Sequence, residues 1–253
     1  MNKINNAFAA GKALIAFITC GDPDPETTAA CVRQAVANGA ALVELGIPFS
    51  DPTAEGPVLQ EAGLRALEAG VTTDRIFDMV RGLRRDVTAP LVFMTYANVV
   101  FSYGADRFIS TCRDIGIDGL IIPDLPFEEK EEFLPLCHQY DVALISMIAP
   151  ASHDRIARIA QEAEGFLYFV AQPGMSSEPV AGFEAMLQVV RRSTGVPCAI
   201  DLDISTPEQA CTLAAYFDGV IVGSAIVRIV ERYGAEAPGH VGEYVRTMIE
   251  AMS

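Results

Sequence analysis

The stretch "ALIAFITCGDPDPETTAACVRQAVANGAALVEL", Ala13 to Leu45, decides the fold. It begins with the apolar run "ALIAFIT" and ends with "ALVEL", two short β-rich runs that read as strands buried on both faces. Between them, "PETTAACVRQAVANG" has the spacing of an amphipathic helix and ends at a glycine. Strand, helix, strand is one βαβ unit, and its strands are parallel. The same alternation continues through "LVFMTY" (91–96), "GLIIP" (119–123), "VALISMIA" (142–149), "FLYFVA" (166–171), "PCAIDL" (197–202) and "GVIVG" (219–223). Eight such runs in 253 residues predict an α/β fold of one domain, a (β/α)8 TIM barrel over residues 1–253, since that fold takes about 250 residues. After the second run, "GPVLQEAGLRALEAGVTTDRIFDMVRGLRRD" is too long for one helix and reads as two, broken at Gly70. An open, doubly wound sheet fits less well. Its first turn would be "TCGDPDP", which lacks GxGxxG and is crowded with prolines.

Composition narrows the partners. A formal net charge of −15 argues against nucleic acid and anionic membrane, so an anionic substrate would have to be held by local dipoles. Six cysteines lie scattered with no CxxC pair, mostly inside apolar segments, and read as buried free thiols of a cytoplasmic protein. The N-terminal "MNKINNAFAAGKALIAFITCG" has the outline of a leader, but Lys12 interrupts a short apolar part and Thr19 is a poor residue before the cysteine. No apolar run approaches the roughly 20 residues that cross a bilayer.

In a barrel the chemistry gathers at the C-terminal ends of the strands. The three lysines, Lys3, Lys12 and Lys130, all fall elsewhere, which disfavours a Schiff base. The three histidines, His138, His153 and His240, are too scattered to build an imidazole metal centre at one mouth, so no metal and no cofactor is expected. Proton transfer is left to carboxylates, with tyrosine or serine assisting. Glu44, closing an apolar strand, is the first candidate, because burial would raise its pKa toward neutrality. The same residue could serve only to cap loop amides. Asp51 and Glu55, in the loop "ELGIPFSDPTAEGP", could equally be turn-formers beside proline.

These residues resemble a known family. "ELGIPFSDPTAEGPVLQEAGLRAL", "FITCGDPD", "MTYANVVFSYG", "DGLIIPDLPFEE", "ISTPEQA" and "DGVIVGSAIV" are similar, in the same order, to motifs of the tryptophan synthase alpha subunit. The resemblance implies a metal-free barrel lyase that splits indole-3-glycerol phosphate into indole and glyceraldehyde 3-phosphate. It also implies that indole passes to a pyridoxal-phosphate-dependent beta subunit in an α2β2 complex. By resemblance Glu44 is the acid-base residue, Glu55 takes the position of the carboxylate that accepts the indole N–H, and Tyr168 lies near the reacting glycerol chain. Phe17, Leu59 and Tyr96 would line the substrate site. Ser176, Ser177, Asp203, Gly223 and Ser224 would fall at its phosphate end, and Asp51, Pro52 and Asn98 would face the beta subunit. The chain departs from the family pattern at four positions. Glu55 stands for an aspartate, Ser177 for a glycine, and Asp201 and Asp203 for the two glycines of the turn after the seventh strand. Two other readings therefore stay open, a related barrel lyase for a substrate without phosphate and a non-catalytic regulatory partner of a beta subunit.

Overall fold

The structure, a computed structural model, describes residues 3–170 and 179–252. The chain runs α1 (Lys3–Ala7), β1 (Ala13–Thr19), α2 (Pro25–Ala37), β2 (Leu42–Gly46), α3 (Pro57–Glu68), α4 (Thr73–Leu83), β3 (Leu91–Met94), α5 (Ala97–Tyr103), α6 (Ala105–Ile115) and β4 (Gly119–Ile121). It continues through α7 (Leu134–Tyr140), β5 (Ala143–Leu144), β6 (Met147–Ile148), α8 (Ile156–Gln161), β7 (Leu167–Val170), α9 (Pro179–Ser193) and β8 (Cys198–Asp201). The last elements are α10 (Pro207–Ala214), β9 (Gly219–Val222), α11 (Ser224–Tyr233) and α12 (Ala237–Met252). Every strand pair is parallel, in the order β5-β4-β3-β2-β1-β9-β8-β7-β6.

β5 and β6 are two halves of the single fifth strand expected over 142–149. Only Ile145 and Ser146 separate them. Ile145 N–H still donates to Leu120 O on one side, and Ser146 O accepts from Tyr168 N–H on the other, so the chain itself joins the two ends of that order into a ring. The break at Gly70 also falls as expected, between α3 and α4, with the glycine at φ +79°. Thr72 then caps α4 by accepting from Arg75 N–H.

Because side chains alternate along a strand, one set faces the helices and the other fills the barrel. The inner set includes Ile15, Phe17, Leu42, Val92, Met94, Ile121, Ala143, Ile145, Phe166, Tyr168, Ala199 and Ile221. α1 closes the floor. Ile4 is fully buried there and reaches Gly119 and Gly165, while Phe8 presses on Gly219 and stacks obliquely on Phe166 at 5.7 Å. A Cβ on Gly219 would stand 2.9 Å from the Phe8 ring, so the plug needs a bare backbone at that point.

One expectation is adjusted. Cys211 is exposed, while the other five thiols are buried. Lys130 lies in a 3-10 segment, Phe127–Glu132, that precedes α7, which carries His138. Among the described residues no helix is long and apolar enough to cross a membrane.

Candidate active site

Glu44 is the middle residue of β2, not its last. β2 runs on to Gly46, which pairs with Thr19 of β1 and Met94 of β3. Two residues after inward-facing Leu42, Glu44 shares its face and lies inside the barrel, fully buried. Neither carboxylate oxygen finds a hydrogen-bond partner among the described residues. Burial raises its pKa well above the usual carboxylate range, and the charges of Asp201 and then Glu55 push the same way. A buried, unpaired acid of this kind is costly, and it is what a proton donor near neutral pH requires.

Phe17 sits beside Glu44 in the β1–β2 register. A Cβ on Gly46 would lie 2.5 Å from the tip of the Phe17 ring, so that glycine makes room for an aromatic wall next to the acid. Leu59, in the first turns of α3, packs against the same inner cluster. Gly223 lies next in line on the far side of Phe17, since β1 and β9 pair Ala16 with Val222. It caps α11, whose first residue is Ser224.

Glu55 comes from the loop between β2 and α3 and is half-buried. Burial pushes its carboxyl up to about 7, while the Tyr96 hydroxyl beside it pulls the other way. Tyr96 itself is buried, and its hydroxyl accepts from Ala54 N–H at 3.1 Å. The residue expected to line the substrate site is therefore also the peg that fixes the loop. Gln60 secures the other side by donating to Glu55 O at 2.9 Å.

Tyr168 is the second residue of β7 and almost completely buried, its ring among the inner cluster. Its hydroxyl donates to Asp201 Oδ2 at 3.0 Å. Asp201 ends β8, paired with Val170 and Ile221, on the same face as Ala199 and so directed inward. Burial raises its carboxyl to about 6, the Tyr168 hydrogen bond opposes the rise, and Asp203 adds to it. Asp203 differs sharply from Asp201. It adopts a positive φ of 38°, where a glycine would sit without strain, and its side chain is 69% exposed, 3.8 Å from the Arg228 guanidinium. Ser176 and Ser177 lie outside the described residues.

The lysines are engaged elsewhere. Lys12 donates to Phe217 O at 2.9 Å, Lys3 pairs with Asp118 and Lys130 with Glu162. On the rim, Asp51 and Asn98 are exposed and Pro52 is half-buried, and Phe101 of α5 stands 51% exposed near Asn98. Sequence reasoning named Glu44, Glu55 and Tyr168 but missed the Asp201–Tyr168 pair. The only signal for it was an acid at the end of an apolar strand, the signal that had singled out Glu44.

Fold and interior together describe a (β/α)8 barrel of enzyme type, with carboxyl groups gathered inside it. The sequence model of the tryptophan synthase alpha chain matches residues 5–251. A tryptophan synthase alpha chain of Lacticaseibacillus casei is 44% identical over 249 residues, covering 97% of this chain and 94% of its own length. Among solved structures, tryptophan synthase subunit alpha from Legionella pneumophila superposes with a TM-score of 0.91 at 35% identity, covering 100% of this chain and 98% of that one. A chain from a tryptophan synthase complex of Pyrococcus furiosus gives 0.86 at 30% identity, covering 95% and 98%. The chain belongs to the tryptophan synthase alpha chain family.

Proposed function

We propose that the family's reaction, cleavage of indole-3-glycerol phosphate to indole and glyceraldehyde 3-phosphate, is carried here by Glu44 with Glu55 and Tyr168. The observation that carries the reading is the fully buried Glu44 carboxyl inside the barrel, both of its oxygens without a partner among the described residues. In its protonated form Glu44 gives a proton to indole C3. The carboxylate left behind takes a proton from the glycerol hydroxyl as the carbon–carbon bond breaks and the aldehyde forms, so the enzyme returns to its starting state. Glu55 accepts the indole N–H and offsets the positive charge that grows on the ring. Phe17 and Leu59 supply the apolar walls.

The phosphate is assigned to the N-terminal end of α11 at Gly223 and Ser224, where the N–H groups of a helix's first turn and the helix dipole favour an anion. The exposure of Asp203 and its pairing with Arg228 support this placement, because they draw one of the two added charges outward. The rim at Asp51, Pro52 and Asn98 is assigned to a beta subunit, which receives the indole. Five buried free thiols accord with a cytoplasmic setting.

The test is Glu44→Gln, assayed for indole release from indole-3-glycerol phosphate with and without a beta subunit. Indole release should fall to background in both assays while the far-UV circular dichroism stays native. Near-native turnover of the folded variant would remove Glu44 from the mechanism.

A further inference from the structure

A tyrosine hydroxyl has one proton to donate. In this barrel Tyr168 gives it to Asp201 Oδ2 at 3.0 Å, and neither oxygen of nearby Glu44 receives it. Asp201 is not an ornament of an exposed turn. It closes β8 in register with Val170 and Ile221 and points into the same interior as Tyr168 and Glu44. By resemblance it also stands where the family pattern has a glycine, which has no side chain to accept such a bond.

We propose that Asp201 is a positioning residue for the lyase reaction: by holding the Tyr168 hydroxyl and placing a second carboxyl opposite Glu44, it keeps Glu44 in its proton-carrying form. This rests on the assignment of Glu44 as the acid. A hydroxyl donated to Glu44 would favour the carboxylate, and a like charge nearby disfavours it. Asp201 therefore acts twice in one direction, by withdrawing a donor and by adding a charge. Among the described residues the groups facing Glu44 are few. Across the barrel they are Tyr168 and Asp201, from the β2–α3 loop Glu55, and from β1 and β3 the uncharged Phe17, Val92 and Met94. Of the two neighbouring acids, Asp201 has the larger influence on Glu44. Facing Asp201 are Tyr168 and Asp203, and Arg228 is turned to Asp203 on the outer side.

The experiment reads Glu44 directly, without catalysis. Its carboxyl is titrated by 13C NMR in glutamate-labelled protein, assigned by comparison with Glu44→Gln, in the wild type, Asp201→Asn and Asp201→Ala. The asparagine removes the charge but keeps an acceptor for Tyr168, whereas the alanine removes both. The Glu44 midpoint should fall by about one pH unit in the alanine variant and by less in the asparagine variant. The alkaline limb of kcat/KM should move down by the same amounts, with KM changed by less than about twofold. In a Tyr168→Phe background, where no hydroxyl can be redirected, the alanine and asparagine shifts should become equal.

A Glu44 midpoint that does not move in either variant would overturn the proposal. So would shifts already equal in the presence of Tyr168, or an unmoved pH limb with a KM that drops about tenfold, which would put Asp201 at the substrate phosphate instead. An active Glu44→Gln enzyme would sink the catalytic assignment but leave the titration readable, so the two failures are distinct.

Discussion

Glu55 shows how much one methylene can matter. Its carboxyl hangs from a loop held by the Ala54 N–H to Tyr96 hydroxyl bond and by Gln60, which donates to Glu55 O and Pro52 O, and these bonds resist a backbone shift that would compensate for a shorter side chain. Glu55→Asp restores the family's residue but withdraws the oxygens by about 1 Å, and a displacement of that size can cost on the order of 100-fold. The expected outcome is a 10- to roughly 100-fold fall in kcat for indole release. An unchanged or higher kcat would mean that this loop is still shaped for aspartate. Residue types were legible here and residue depths were not. An acid inside "ALVEL" is conspicuous in any apolar run, but whether it ends the strand or sits within it depends on Gly46 pairing with both neighbours, which no local pattern reports. Asp201 reads in sequence as charge at the phosphate end. Its partner Tyr168 lies 33 residues away on the adjacent strand, and only the register of β7 with β8 brings them together.

At the scale of elements, the alternation of strands and helices was readable because each strand is a short run of apolar side chains buried on both faces. Two features escaped. The fifth strand divides at Ile145 and Ser146, where neighbours on its two sides make different demands on one chain. The five-residue helix α1 has no amphipathic period long enough to detect, yet it seals the barrel floor. Ile4 is fully buried against glycines of two different segments, so truncation leaves a cavity that the surrounding backbone cannot fill. Ile4→Ala should lower the unfolding free energy by about 2–4 kcal/mol. The measurement is urea unfolding, with a lower midpoint at an unchanged m-value. Because the floor lies at the opposite end from the mouth, KM for indole-3-glycerol phosphate should stay close to that of the wild type. A stability loss under about 0.5 kcal/mol would show that α1 is an ornament on a floor closed by other side chains.

The molecule as a whole stores acid in its interior. Glu44, Glu55 and Asp201 all have folded-state pKa values above their ordinary ones, to about 7 for Glu55 and about 6 for Asp201, with burial the leading cause each time. Below an ordinary carboxyl pKa of about 4 to 4.5, folded and unfolded chains both hold these protons and the groups cost nothing. As pH rises, the unfolded chain releases them first, so the folded state binds more protons and the free energy of unfolding falls until the folded groups ionise too. Acids with depressed pKa values, such as Glu128 and Glu162 beside their cationic partners, act in the opposite sense, contributing above the ordinary value and losing that contribution on acidification. They are exposed and contribute little. Thermal stability should therefore decline from about pH 5 toward about pH 8. The net charge of −15 adds self-repulsion in the same window, but salt screens surface charge far more than buried charge. Melting temperatures across that range at low and high salt separate the two contributions. The slope that survives high salt belongs to the barrel interior, and Glu44→Gln, which cannot ionise, should flatten it and melt above the wild type at the alkaline end. A high-salt melting temperature that is level or rising with pH would mean that the interior acids are satisfied by contacts that leave their carboxylates at no disadvantage.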